Sequence, residues 1–449
     1  MGDGYSANED VAGDGILIPS PARQGAAVSP ARPSVRGRRS LALGLLAVWG
    51  PGLIVMLADT DAGCLITAAQ SGAQWGYAMI GPQIILIPIL FMTQEIVVRL
   101  GVVTRKGHGV LIREHFGLGW GVVSAGTLLL SAVGALLTEL AGVAGVGELF
   151  GISRWVTVPV VTALMLGLAC TGSYRRVEKI GIAIGLAELA FIPAMILAHP
   201  RLHDAVHGLS TVPLGQHSYV YLLAANVGAV VMPWMIFYQQ SAIVAKGLRP
   251  HELRAERRDT AVGSVITQGI MIVVIVAFAA TVFKVNRTVP LKTVPLNTVG
   301  QLAGGLGRFI GSTDAKVLVG AAVLGGALVA AIVVSLAGSW GIAEVLGWKH
   351  DLSERVNRRN ARFYLVYAVA HVAGAVIVLA SLDLVSLAVD VMVMNALLLP
   401  IVLGFLLLLE RKALPPEHRM RGAYRVACTT LCLIVIGFGL YMVPSTLGL

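Results

Sequence analysis

Two short segments carry the side chains with the most chemistry in this chain, and each lies inside a long apolar stretch. In the first segment Asp61 and Cys64 lie close together around a glycine, and in the second Met232 stands before Pro233. Carboxylate, thiol and thioether groups are all metal ligands, the sulfur groups favouring softer ions and the carboxylates harder ones. The two segments therefore predict a cation-binding site with a mixed donor set.

Both segments interrupt what otherwise reads as a membrane-spanning helix. Pro233 cannot donate a helical hydrogen bond, which exposes the carbonyl of Ala229 four residues earlier. Free carbonyls inside a membrane are tolerated only where they line a cavity, and paired broken helices mark the substrate site of many transporters. The chain is therefore expected to be a cation transporter.

Asp61 is a carboxylate deep within an apolar span, a placement that is functional by default. Asp59 would point away from Asp61 on a helix, but on an unwound segment both could approach one site. The sequence leaves open whether Asp59 does so or faces water at the mouth.

Other intramembrane polar residues are candidates for an ion or proton pathway, or for structural pairing. Glu139 lies in the third apolar span, and Asp390 and Asn395 lie in the tenth. Three more glutamates lie nearer span ends and are expected at the interface: Glu95, Glu148 and Glu188. His371 is expected to make one structural hydrogen bond.

Composition identifies an integral membrane protein. Of 449 residues, 56% are hydrophobic and only 13% are charged, whereas soluble domains carry about 25% charged residues. The basic residues fall in short runs between apolar spans, so the net charge of +10 does not predict a nucleic-acid partner. The sequence lacks a P-loop and the GxSxG and HExxH motifs, so neither an enzyme nor a cofactor is expected.

The fold class expected is an all-α membrane protein. Residues 1–40 predict a disordered basic arm, residues 41–449 a transmembrane domain, and residues 285–315 its longest loop, which is polar. Spans of about 20 apolar residues number eleven: 42–70, 77–103, 118–149, 154–172, 177–198, 217–245, 261–284, 316–346, 361–380, 384–408 and 424–446.

The breaks fall in spans one and six, which suggests a LeuT-like plan of two five-helix repeats. The repeats would cover about 42–198 and 217–408, with 424–446 as an extra helix. An odd repeat length inverts the second copy, and the site then lies between the broken helices at the midplane. Positive residues in alternate loops predict a multi-pass protein of the cell membrane with a cytoplasmic N-terminus and an external C-terminus.

Several motifs resemble the NRAMP family of divalent-metal transporters. They are Gly50-Pro-Gly-Leu53, Asp61-Ala-Gly-Cys64, Gly72-Ala-Gln-Trp-Gly-Tyr77, Gln94 with Arg99-Leu-Gly-Val-Val-Thr104, and Ala229 to Met232 with Pro233. The resemblance covers about residues 42–408. It implies the inverted-repeat fold and import of Mn²⁺ and Fe²⁺ together with protons.

The resemblance also implies a ligand set. Asp61 matches the family's metal aspartate and Met232 its metal methionine, and the two carbonyl donors fall on Ala58 and Ala229. Cys64 stands where the family has an asparagine ligand.

Other positions depart from the family pattern. Ala62 replaces the proline of the first break, and Trp234 and Gln239 replace two histidines that follow the second. The family's acidic pair in span three matches Glu139 and Gly142. Its span-ten glutamine matches Met392, near Asp390. These departures argue against proton coupling. The loss of proton-route residues also resembles the NRAMP-related magnesium transporters. The resemblance to the main family implies Mn²⁺ or Fe²⁺ as the ion, and the resemblance to the magnesium transporters implies Mg²⁺.

Two rival functions fit the same broken-helix plan. An organic-solute symporter, for example for amino acids, would need helix N-termini free to hold a substrate carboxylate. A membrane sensor would bind metal without net flux. The oligomeric state is not predicted, and the expected partners are divalent metal ions and the lipid bilayer.

Overall fold

The structure of the protein is a computed structural model. It describes residues 51–170, 183–284, 297–348, 356–358, 360–381 and 383–447. The predicted basic arm and the beginning of the first predicted span lie outside the described residues.

Every regular element within the described residues is helical. In chain order, α1 to α16 are Pro51–Asp59, Ala62–Trp75, Ile80–Thr104, His108–Phe116, Leu118–Leu149, Arg154–Cys170, Phe191–Leu197, Leu202–Leu209, His217–Val230, Pro233–Lys246, Leu253–Phe278, Val299–Ile310, Ser312–Leu346, Ala361–Ala380, Leu384–Lys412 and Gly422–Leu447. Short 3₁₀-helices cover Gly76–Met79, Leu186–Ala190, Pro250–Glu252 and Pro416–His418, and a π-helix covers Ala279–Phe283.

Eight helical stretches among the described residues are long and apolar enough to cross a membrane. One of them, Ala62–Thr104, contains both α2 and α3, and two shorter apolar stretches, Arg154–Leu168 and Ala183–Leu197, fall within the fourth and fifth predicted spans. The all-helical membrane architecture is therefore confirmed, while the count of eleven and the inverted relation of the repeats stay predictions.

Both predicted breaks are present. The chain leaves helical geometry between the end of α1 at Asp59 and the start of α2 at Ala62, and again between Val230 and Pro233. Pro233 occupies the first turn of α10, where its missing N–H costs nothing.

The prediction of a polar loop over residues 285–315 was wrong for its second half. There α12 begins after Thr298, whose side chain accepts a hydrogen bond from the N–H of Gln301 at 3.1 Å. Its apolar residues recur at helical spacing and are buried: Val299, Leu302, Ala303, Leu306 and Ile310. They pack against α13 and α5. The glycines and prolines of this stretch obscured that amphipathic pattern.

The helices on either side of the breaks are surrounded by four long helices. Both α1 and α2 pack on α11, α9 packs along α15, α10 packs on α13, and α5 contacts both α13 and α15. The breaks therefore lie at the centre of the helix bundle, where their side chains are buried.

The outer surface of the bundle is apolar, as expected for a protein in lipid. On α14, large apolar side chains recur every three or four residues on one exposed face: Leu365, Val369, Val372 and Val376. That face has no covering helix among the described residues and fits contact with the bilayer.

Candidate metal site at the two helix breaks

Asp61 is fixed by the end of its own helix. It is the N-cap of α2, and its Oδ1 accepts a hydrogen bond from the N–H of Cys64 at 2.7 Å. Its other oxygen, Oδ2, is buried and accepts no hydrogen bond. The helix end therefore holds Oδ1 of Asp61, and Oδ2 stays available to a cation or to the neighbouring carboxyl group of Glu139.

Glu139, on α5, approaches the same helix end. Its Oε2 accepts from the N–H of Ala62 at 3.2 Å, its Oε1 accepts from the hydroxyl of Thr138 at 3.1 Å, and its carboxyl group interacts with that of Asp61. The N-terminus of a helix favours negative charge. The structure thus brings two predicted acids together at one helix end.

At the second break, Met232 has an extended backbone and a fully buried side chain. The indole N–H of Trp234 donates a hydrogen bond to its sulfur, with Nε1 and Sδ 3.2 Å apart. The residue in place of a family histidine therefore contacts the proposed metal-binding sulfur directly.

One contact joins the two breaks. The thiol of Cys64 donates to the main-chain carbonyl of Ala229, with sulfur and oxygen 3.1 Å apart. Asp61, Cys64 and Ala229 are therefore linked directly by hydrogen bonds, while Ala58 and Met232 are buried at the ends of α1 and α9–α10.

The site does not contain a ready set of charged ligands. Among the described residues, no group of three or more histidine, cysteine or acidic side chains is placed to hold a metal ion. A metal cargo at the breaks would therefore need main-chain carbonyls and the thioether in addition to Asp61. This fits the predicted donor set.

The remaining pathway candidates separate into buried and exposed positions. Gln239 is buried, donates to the hydroxyl of Thr260 at 3.3 Å, and keeps Oε1 without a partner. Asp390 is exposed on α15 and accepts a hydrogen bond from the Tyr221 hydroxyl at 2.7 Å. The structure does not bring Asp390 to the breaks.

Two positions where the chain departs from the family lie against the breaks. A Cβ added to Gly142 would come 2.5 Å from the Cβ of Ala62. Met392, on α15, is fully buried beside Gly63. Asn395, one turn further along α15, is also buried and accepts from Ser131 at 2.8 Å.

The other acids expected at the interface have different environments. Glu148 forms an ion pair with Arg154, and Glu95, fully buried, forms ion pairs with Arg99 at 2.5 Å and Arg257 at 3.0 Å. Both therefore have structural partners.

His371 makes the structural contact predicted for it. Its Nδ1 lies 3.0 Å from the carbonyl oxygen of Tyr367, and its ring also lies within hydrogen-bond distance of the Ser335 hydroxyl.

The expectation that Glu188 lies at the interface was wrong. The residue is fully buried on the 3₁₀-helix Leu186–Ala190, and the hydroxyl of Thr60 donates a hydrogen bond to its Oε2. Asp59, 1% exposed, has two oxygens without hydrogen-bond partners. The available signal was that no basic residue follows Glu188 within the apolar stretch 183–197.

A polar network connects α2, which follows the first break, and α9, which precedes the second break, with a third helix. Asn226 on α9 donates to the hydroxyl of Ser71 on α2 at 2.7 Å, and it accepts from Gln83 on α3 at 2.5 Å. These contacts join both broken segments several turns away from Asp61.

Comparisons with a family model and with curated relatives identify the same family of proteins. The model of the family described as natural resistance-associated macrophage protein-like matches residues 52–445. The divalent metal cation transporter MntH of Burkholderia ambifaria is 22% identical over 92% of both chains. The MntH of Verminephrobacter eiseniae is 30% identical, but over 46% of this chain and 48% of that protein, so the chain matches about half the length of that relative.

Solved structures show the same fold. A manganese transporter of Eremococcus coleocola, crystallised with an aromatic bis-isothiourea compound, has a TM-score of 0.68 at 19% identity, covering 92% of this chain and 89% of that one. A nucleobase-cation-symport-1 family transporter has a TM-score of 0.54 at 14% identity, covering 88% and 89%. At these identities the likeness concerns the fold alone.

Proposed function

Because the chain belongs to the natural resistance-associated macrophage protein-like (NRAMP) family, whose members are transporters and not enzymes, we propose that it carries divalent metal cations across the cytoplasmic membrane as a secondary transporter. The hydrogen bond from Cys64 to Ala229 is the single observation that carries this proposal, because it brings a donor side chain of one break onto a carbonyl of the other. The names of its relatives support the same cargo.

In this proposal the cation binds between the two breaks. Asp61 supplies the charge through Oδ2, Cys64 and Met232 supply sulfur, and the carbonyls of Ala58 and Ala229 supply oxygen. The burial of all five residues supports a dehydrated or partly dehydrated ion. The site would open to each side in turn as α1–α2 and α9–α10 rock against α5, α13 and α15.

The donor set fits Mn²⁺ or Fe²⁺ better than Mg²⁺. Sulfur ligands stabilise transition metals, whereas Mg²⁺ is bound almost entirely by oxygen. Mg²⁺ is the alternative cargo, and it would leave Cys64 and Met232 without a direct role in binding.

We propose further that the metal moves without the proton route of its relatives. Trp234 donates to Met232, and Gln239 donates to Thr260, so neither replacement supplies a histidine that could relay a proton. Gly142 stands where the family has a second acid in span three, so only Glu139 of that acidic pair is present.

The geometry argues against the organic-solute alternative. A substrate carboxylate would need free N–H groups at the start of α2, but the N–H of Cys64 is taken by Asp61 and that of Ala62 by Glu139. The two acids at this helix end would also repel the carboxylate of a substrate.

The test is uptake into proteoliposomes, with Mn²⁺ and Mg²⁺ in competition and internal pH recorded at the same time. We expect saturable Mn²⁺ uptake without acidification, and its loss in Asp61→Ala. The control is Glu114→Ala, which removes an exposed carboxylate that pairs with Lys106. Normal uptake by Asp61→Ala would refute the site, and acidification that follows Mn²⁺ would refute the uncoupled mechanism.

A further inference from the structure

We infer that Asp59, Thr60 and Glu188 form a second cation site, separate from the Asp61–Cys64–Ala229 group. Its ligand would be a hard, oxygen-seeking cation, either Na⁺ or an alkaline-earth ion. The inference goes beyond the proposed function, because it concerns a different ion at different side chains.

The first observation is a set of buried oxygens without partners. Glu188 is fully buried, and its Oε1 accepts no hydrogen bond, whereas its Oε2 accepts from Thr60. Asp59 is 1% exposed, and neither of its carboxylate oxygens accepts a hydrogen bond. Buried polar atoms are nearly always satisfied, so three orphaned carboxylate oxygens at one place point to a missing ligand.

The second observation is that these acids lie near one another without a basic partner. The carboxyl group of Asp59 is close enough to those of Asp61 and Glu188 for their ionised forms to repel one another. None of the salt bridges formed by the described residues includes Asp59 or Glu188. A buried carboxylate without a basic partner needs a bound cation or a proton, and adjacent carboxylates strengthen that need.

The third observation is close packing of a third helix. Gly326, on α13, lies against this group: a Cβ added there would lie 2.6 Å from the carbonyl oxygen of Thr60 and 3.3 Å from Oε1 of Glu188. A side chain at this position would therefore displace one of the two oxygens. The glycine lets the Thr60 carbonyl and Oε1 of Glu188 lie near each other, as two oxygens that bind one ion must.

The donors are all oxygen, which sets the chemical class of the ion. Carboxylate, hydroxyl and carbonyl groups suit Na⁺, Mg²⁺ and Ca²⁺, whereas the first site also contains sulfur. Because Thr60 and Asp61 are adjacent in the unwound segment, an ion at the second site would hold that segment in place and screen the charge of Asp59 from the metal cargo.

The test uses the purified full chain in lipid nanodiscs, with the first site disabled by Asp61→Asn, which keeps an oxygen to cap α2. Equilibrium binding is measured separately with ²²Na⁺, Mg²⁺ and Ca²⁺. We expect one saturable site per chain for one of these ions. Adding Asp59→Asn and Glu188→Gln should weaken binding at least about tenfold, and Gly326→Ala should do the same, because its methyl group would displace the Thr60 carbonyl or Oε1 of Glu188.

Both kinds of variant are needed because each one preserves a structural feature that the other removes. Glu188→Gln keeps an acceptor for Thr60, and Gly326→Ala keeps every carboxylate, so loss of binding in both, with unchanged gel-filtration profiles, would support a site. Absence of hard-cation binding in Asp61→Asn, or binding that neither variant changes, would overturn the inference and leave both acids protonated.

Failure of the second cation site can be distinguished from failure of the proposed transport function. Mn²⁺ uptake by the wild type together with no hard-cation site would refute only the second site. Hard-cation binding in a chain that transports no divalent metal would refute only the transport proposal.

Discussion

The thiol of Cys64, in the first turn of α2, donates a hydrogen bond across 3.1 Å to the carbonyl of Ala229 in the last turn of α9. The residues are 165 positions apart in the chain. A carbonyl freed by one broken helix is thus capped by a side chain from the other. A metal ion that binds both groups would replace this hydrogen bond, so the hydrogen-bonded state and the metal-bound state are mutually exclusive.

Replacing the thiol by a hydroxyl tests whether the sulfur selects the ion. Cys64→Ser keeps a donor for Ala229 but removes the soft ligand, so Cd²⁺ uptake should fall relative to Mn²⁺ by about tenfold, equivalent to ~1.4 kcal/mol. Competitive uptake in proteoliposomes measures the ratio. The matched control is Cys428→Ser, at another buried free cysteine. An unchanged ratio in Cys64→Ser would show that sulfur does not touch the ion.

Removing the indole N–H should strengthen metal binding. In Trp234→Phe the sulfur of Met232 loses its hydrogen bond and both of its lone pairs become available. A hydrogen bond contributes about 1 kcal/mol, so the Kd for Cd²⁺ should fall about fivefold.

The control for this prediction is a double-mutant cycle. In a Met232→Leu background the same Trp234→Phe change should have no effect on Kd, because no sulfur remains to be released. Equal effects in the two backgrounds would mean that Trp234 acts on the site by another route.

Gly142 and Ala62 are expected to tolerate only one side chain between them. Gly142→Ala places a methyl group 2.5 Å from the Cβ of Ala62, and overpacking of this kind costs about 1–3 kcal/mol. Thermal unfolding of the detergent-purified protein should show a lower Tm. In Gly142→Ala combined with Ala62→Gly, the loss should largely disappear.

Gly126 provides the matched control on the same helix. A Cβ there meets nothing within 4 Å, so Gly126→Ala should keep or raise the Tm, since alanine favours a helix over glycine. A larger loss in Gly126→Ala than in Gly142→Ala would contradict the packing explanation.

Stability should depend on pH through His108. Burial lowers its pKa to about 4, against a weaker opposite effect of the hydrogen bond with Gln240. The unfolded chain has a histidine pKa of about 6.5, so it takes up a proton below that pH while the folded protein does not. The contribution of neutral His108 is therefore complete above pH 6.5 and is lost as the pH falls toward 4, by up to about 3 kcal/mol.

The measurement is the Tm of wild type and His108→Gln between pH 7.5 and 4. The variant should show a smaller loss of Tm on acidification, whereas His251→Gln, at an exposed histidine, should follow the wild type. Parallel curves for the wild type and His108→Gln would show that another group controls acid sensitivity.

Much of the fold and part of the site followed from local sequence. Both breaks were predictable because Pro233 and the Asp61-Ala-Gly-Cys64 segment act on their own backbone, independently of distant contacts. The helix α12 was missed because its apolar residues lie between glycines, and their burial depends on α13 and α5.

The sequence by itself determined the type of donor at each break, the positions of the breaks and the membrane character of the chain. These depend on residue chemistry, backbone hydrogen bonding and hydropathy, all of which are local. Only the tertiary structure decided which distant acids reach the breaks. Asp390 points outward because it lies about 200° around α15 from the buried Met392, while Glu188 is carried to Thr60 by packing against α13. No local pattern fixes how one helix is rotated against another.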